Sequence, residues 1–176
     1  MPDKKIHTVL VCPGTSGRPD SPKIKTMETV AKEKGFRTHV PDWRQVRAVP
    51  KYRAGLLKKE GWLDPERLIL AGSSLGGLTV SRIAETREVD GLFQLVPVLN
   101  ERFDASSFTS PKAKDNVIIH AWDDEYTEPV HVQVFATMLE NARLHILPGR
   151  HSLKDHLDFI AREFADFLDR VSEQER

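Results

Sequence analysis

The sequence predicts an α/β fold in which one parallel sheet of about six strands is covered by helices on both faces. Three observations carry this. Short apolar runs alternate with segments of helical pattern along all 176 residues. Most of the runs are continuous rather than alternating, which a sheet buried on both sides requires. The chain also closes on an amphipathic helix, with Leu153, Leu157, Ile160, Phe164, Phe167 and Val171 forming one apolar stripe among Lys, Asp, Arg and Glu.

The first run, 7–12, ends at Cys12, the only cysteine, which reads as a small buried hydrophobe and allows no intramolecular disulfide. A helical pattern at 22–35 follows, then the run 36–40 and a second helical pattern at 50–60. The third run, 67–72, leads through a glycine-rich turn into a helix over 75–88. Runs at 91–96, 116–121 and 143–147 complete the sheet, with a helix at 127–141 between the last two and the amphipathic helix at 152–171. Strand, helix, strand repeated in this way implies right-handed crossovers and a single domain over 1–176.

Composition excludes several function classes. Lys plus Arg and Asp plus Glu are equal at 26 each, so no overall field recruits nucleic acid or an anionic membrane. No apolar stretch approaches the length of a membrane span or a signal-peptide core, and a cytoplasmic location is expected. No metal motif is present: H-E-x-x-H is missing, and a lone cysteine makes a thiolate zinc site improbable. The basic run 44–59, with Arg44, Arg47, Lys51, Arg53, Lys58 and Lys59, reads as a solvated helical face, and its functional alternative is a preference for anionic substrates or an acidic partner. Arg44, following the second strand, is the one basic residue placed near a site.

In such folds ligands bind at the carboxyl ends of the strands. After the third run stands Gly72-Ser73-Ser74-Leu75-Gly76-Gly77. Only one register satisfies G-x-S-x-G, and it makes Ser74, not its neighbour Ser73, the candidate nucleophile. Neither phosphate-loop pattern fits this turn. A helix starting at Leu75 aims its free N–H groups at the same corner, which favours an oxyanion. A serine hydroxyl needs a base, and the base an orienting acid. Asp123 and Asp124 follow the fifth run, and His151 follows the sixth. Either aspartate is also a candidate turn or helix cap. Ser152 is the expected cap of the last helix, which leaves His151 free. His156 is the reserve base, and His7, His39, His120, His131 and His145 read as structural.

The order Ser74, Asp, His151, each at a separate strand end, resembles the α/β-hydrolase superfamily over nearly the whole chain. "DPERLILAGSSLGG" is similar to its nucleophile elbow, "IIHAWDDEYTEP" to its acid strand and "LPGRH" to its histidine loop. The nearest resemblance is to small lidless esterases and dienelactone-hydrolase-like members. It implies a minimal α/β-hydrolase fold with strand order 4-3-5-6-7-8 in the family's own numbering, no cofactor, and Asp124 as the acid when His120 is aligned with the family's H-G-x-x-D. It also implies that the backbone N–H of Thr15 joins that of Leu75 as oxyanion donor, although Pro13 replaces the family's histidine there. The short segment 97–115 leaves no room for a large apolar lid. The function expected is hydrolysis of a small soluble carboxylic ester or thioester. A hydrolase-fold binding protein without turnover is the alternative, and Pro13 is the residue that keeps it open.

Overall fold

The computed structural model describes residues 7–99 and 109–173. Its elements run β1 (Thr8–Cys12), α1 (Pro22–Glu33), β2 (Arg37–His39), α2 (Pro50–Lys59), β3 (Leu68–Ser73), α3 (Leu75–Thr86), β4 (Val89–Leu95), β5 (Ala113–Ala121), α4 (Pro129–Ala136), β6 (Ala142–Leu147), a 3-10 turn (Lys154–His156) and α5 (Leu157–Glu173). The six strands form one sheet in the order β2-β1-β3-β4-β5-β6, and every pairing is parallel. This is the order implied by the resemblance. β1 lies one strand in from the edge strand β2, and after β2 the chain crosses back past β1 and builds through β3 to β6. All strands therefore point their carboxyl ends the same way, toward one edge.

Strand side chains divide between two cores with a period of two. Val9, Val11, Ile69, Ala71, Phe93, Leu95, Val117 and Ile119 pack with Ile24 and Met27 of α1 and with Ile160, Phe164 and Phe167 of α5. Leu10, Cys12, Leu68, Leu70 and Leu92 face the other way, onto Leu57 of α2 and Val80, Ile83 and Ala84 of α3. A smaller cluster joins Ile118 to Val132 and Phe135 of α4. Both faces are covered, so the inner strands are mainly apolar, and polar side chains buried on them, such as Gln94 and Asn116, are hydrogen-bonded. Among the described residues no helix is long and apolar enough to cross a membrane.

Two sequence expectations shift. The helix expected over 127–141 is helical only from Pro129 to Ala136. The last helix begins at Leu157 rather than 152, so Ser152 does not cap it. Leu153 is the cause. It belongs to the apolar stripe and is buried, yet it takes a left-handed backbone with φ 47°. Its N–H donates to the Arg150 carbonyl and its own carbonyl accepts the His156 N–H, each at 3.0 Å. That closed turn spaces His151 away from the helix.

Candidate active site

Ser74 sits at the corner between β3 and α3 with φ 57° and ψ −121°, a region that costs a non-glycine residue on the order of 1–3 kcal/mol. Small neighbours make the corner possible. A β-carbon on Gly72 would lie 2.4 Å from the Gly76 carbonyl oxygen, and one on Gly76 would lie 2.1 Å from the carbonyl oxygen of Cys12. The turn is pinned to β4 as well: the Ser74 N–H donates to the Leu95 carbonyl at 2.9 Å.

The Ser74 hydroxyl lies 2.9 Å from His151 Nε2. On the other side of the ring, His151 Nδ1 lies 2.7 Å from Asp124 Oδ2. A carboxylate there accepts the Nδ1 proton, which leaves Nε2 as the acceptor for the serine hydroxyl. The three side chains come from the ends of β3, β5 and β6, across 77 and 27 residues of sequence.

Asp124 is fixed by its second oxygen. Oδ1 accepts the N–H groups of Tyr126 at 2.8 Å and Thr127 at 3.0 Å. Burial by itself would raise this carboxyl. The bonds from His151, Tyr126 and Thr127 outweigh it and hold the group below the usual carboxylate range. The turn-capping role and the histidine-orienting role, which the sequence leaves to be shared between Asp123 and Asp124, thus both fall on Asp124. The Asp123 side chain is exposed, and its N–H donates to the Gly149 carbonyl at 2.9 Å. α4 has Glu128 as N-cap, with no side-chain capping bond.

The imidazole is steadied by groups that sequence reasoning missed. Glu125 accepts the backbone N–H of His151 at 3.1 Å. The Tyr126 ring meets the imidazole edge to face, with centroids 4.7 Å apart. His120, read as structural, is fully buried with Nε2 2.9 Å from the Thr127 carbonyl oxygen, behind the acid. Burial lowers its pKa, so it stays neutral there. His156 is 2.7 Å from the Pro148 carbonyl oxygen and does not reach the serine's cleft.

That cleft, of about 350 Å³, is lined by Gly14, Thr15, Ser16, Ser21, Lys23, Ser73, Ser74, Val98, Tyr126 and His151. Thr15 therefore stands at the mouth beside Ser74. Leu75 is the first residue of α3, where an N–H has no intrahelical acceptor. Gly14 approaches so closely that a β-carbon on it would lie 3.1 Å from Ser74 Cβ. Pro13 is buried, and the loop it opens closes as a turn, with the Gly17 N–H donating to the Gly14 carbonyl at 3.0 Å.

The basic run behaves differently from the expected solvated face. Lys51, Lys58 and Lys59 are exposed, but the Arg53 side chain is fully buried. Its guanidinium donates to the carbonyls of Gly14 at 2.8 Å, Thr15 at 3.3 Å and Pro13 at 3.5 Å, and stacks over Trp43 at 4.7 Å. Arg44, expected near the site, is instead engaged by the neighbouring Asp42 carboxylate and lies outside the cleft lining. The basic residue in the cleft is Lys23. Of the segment 97–115 expected to be too short for a lid, residues 100–108 lie outside the described structure.

No protein-family model matches the chain, and no curated protein matches its sequence. Solved structures do. A candidate hydrolase of the α/β superfamily from Xanthomonas campestris pv. campestris is 24% identical and covers 93% of this chain and 99% of its own, with a TM-score of 0.81. A lidless α/β serine hydrolase from Xanthomonas campestris is 20% identical over 97% of this chain and 85% of its own, with a TM-score of 0.69. Est1E from Butyrivibrio proteoclasticus, with ferulic acid bound, is 17% identical over 94% of this chain and 89% of its own, with a TM-score of 0.77. At these identities the likeness is one of architecture, and with the strand order and the β3–α3 corner it establishes that the chain carries the α/β-hydrolase fold.

Proposed function

We propose that the protein is a serine hydrolase acting on small carboxylic esters or thioesters. The observation that carries this reading is the continuous chain from Ser74 Oγ through His151 to the buried Asp124 carboxylate, with bonds of 2.9 and 2.7 Å. A structural turn serine needs neither a strained backbone nor an oriented imidazole. Structures of similar fold include proteins described as serine hydrolases, which favours the same chemistry here.

In this mechanism Ser74 Oγ attacks the substrate carbonyl carbon while His151 Nε2 takes its proton. The Asp124 carboxylate holds the ring and stabilises the imidazolium that forms. The carbonyl oxygen becomes an oxyanion facing the backbone N–H groups of Thr15 and Leu75. As the tetrahedral adduct collapses, the bond to the leaving oxygen or sulfur breaks and His151 returns the proton to it. Water, deprotonated by His151, then attacks the acyl-serine carbonyl. As that adduct collapses the bond to Ser74 Oγ breaks, His151 returns the proton to Oγ and the acid is released. The residues do this without a cofactor.

The first test is labelling with a fluorophosphonate probe. Wild type should label and Ser74→Ala should not. Equal labelling would move the nucleophile to Ser73 or Ser16. No labelling of wild type would favour a fold retained for binding alone. With p-nitrophenyl esters, kcat/KM should peak at acyl chains of about two to four carbons, because a shallow cleft gains little of the roughly 0.8 kcal/mol that each further buried CH₂ provides.

A further inference from the structure

We propose that Lys23 is the anion-binding group of a substrate subsite beside Ser74, so that the ester this protein hydrolyses carries a carboxylate. This deepens the hydrolase reading and rests on it. Lys23 lies in the first turn of α1, after Pro22, and so projects from the strand-end edge of the sheet into the cleft that holds Ser74.

What sets Lys23 apart is its environment. Lys25, Lys32, Lys34, Arg18 and Arg44 each pair with a carboxylate on the surface. Lys23 has no carboxylate within ion-pair distance among the described residues. Its ammonium donates one hydrogen bond, to the His151 carbonyl at 2.8 Å, and an ammonium has three N–H donors to place. Burial pushes its pKa down to about 8, while the Asp124 charge pulls it back up. That carboxylate is already committed to His151, Tyr126 and Thr127.

A desolvated cation without a counter-charge is costly in a cleft unless an anion joins it. Of the hydroxyls that line the same cleft, two are those of Ser16 and Ser21, and Ser21 forms no capping bond to α1. One ammonium with two neutral hydroxyl donors matches a singly charged carboxylate. Among the described residues no arginine lines the cleft to hold a dianionic phosphate. The bond to His151 also offers a purely structural role for Lys23, and the experiment separates the two.

Wild type, Lys23→Met and Lys23→Arg are compared on matched ester pairs: 4-acetoxybenzoate with 4-acetoxybenzamide, and mono-p-nitrophenyl glutarate with p-nitrophenyl pentanoate, each corrected for spontaneous hydrolysis. In wild type kcat/KM should favour the anionic member of at least one pair by about tenfold or more, the worth of one hydrogen bond to a charged group. Lys23→Met should bring that ratio to about one, and Lys23→Arg should retain most of it. Turnover of the neutral esters reports any displacement of His151, so the ratio isolates the charge. A wild-type ratio near one in both pairs overturns the proposal, as does an equal loss on both members in Lys23→Met. If no ester is turned over, the hydrolase reading fails and binding still decides the subsite. Calorimetry of 4-acetoxybenzoate on Ser74→Ala should then show binding that Lys23→Met in the same background weakens by about tenfold. Equal binding to both, or to neither, overturns the subsite.

Discussion

The Arg53 guanidinium donates to the Gly14 carbonyl at 2.8 Å, and so ties α2 to the loop that runs beneath Ser74. Pro13 and Thr15 present their carbonyls to the same fork. A planar fork meets several acceptors at once, which an ammonium cannot do. Burial lowers the Arg53 pKa, and it remains charged.

Arg53→Lys should therefore destabilise the fold by about 1–3 kcal/mol, the cost of leaving buried acceptors unpaired. It should also lower kcat more than it raises KM, because the loop carrying Thr15 loses its tether. Urea midpoints and ester kinetics of the variant check both. An unchanged midpoint would show that water or a shifted neighbour satisfies the loop.

The two aspartates should respond oppositely. In a serine protease triad, replacing the orienting acid by its amide costs about 10⁴ in turnover, and Asp124→Asn should show a loss of that order. Asp123→Asn changes an exposed side chain and should stay within about 0.5 kcal/mol and near wild-type kcat. A large kinetic effect at Asp123 would contradict the hydrogen bonds seen at Asp124.

Acid stability should depend on Asp124. Its folded pKa lies below its unfolded value, so its contribution is complete above about pH 4 and is lost as pH falls through the folded pKa. Urea midpoints of wild type should fall more steeply than those of Asp124→Asn as pH drops from about 5 to 2. Parallel curves would mean that other carboxylates dominate acid unfolding.

Lys23 has the opposite signature at alkaline pH. Its pKa of about 8 in the fold against an ordinary 10.5 means that the unfolded chain binds the proton more readily. The cost of the buried charge is thus complete below about 8 and relieved as pH rises toward 10.5. Cys12, whose thiol burial pushes up, acts in the other direction in every variant. The readout is therefore the difference between wild type and Lys23→Met. Wild type should gain relative to the variant between pH 8 and 10.5. A constant difference would place the Lys23 ammonium in solvent.

Two helical glycines, Gly76 at the corner and Gly55 on α2, should divide by their surroundings. Gly76→Ala drives a methyl group to within 2.1 Å of the Cys12 carbonyl oxygen. It should cost about 1–3 kcal/mol or more and abolish probe labelling. Gly55→Ala meets nothing within 4 Å on α2 and should stabilise by about 0.5–1 kcal/mol. Thermal melts of the two variants make the comparison.

Much of the architecture was legible because it is written locally. A strand buried on both faces must be largely apolar along its length, so the mainly apolar runs within 7–12, 67–72 and 116–121 mark inner strands whatever surrounds them. The G-x-S-x-G spacing is likewise a local steric demand, since the elements flanking Ser74 leave no space for a β-carbon at Gly72 or Gly76. The order of Ser74, Asp124 and His151 along the chain follows from residues standing at strand ends.

The roles of Lys23 and Arg53 were not legible, and for one reason. A basic side chain in a helical pattern looks solvated until its acceptors are known. Those of Arg53 lie 38 to 40 residues away, and that of Lys23 lies 128 residues away. Asp123 and Asp124 were inseparable for the same reason, because only the folded turn directs one carboxylate toward His151. The sequence by itself determined the sheet, the helices that cover it and the strand ends that carry the reactive residue types, because backbone sterics and burial act within a few residues. Tertiary structure alone decided which aspartate meets the histidine and which two cations turn inward, because a charge leaves water only where distant elements assemble its partners.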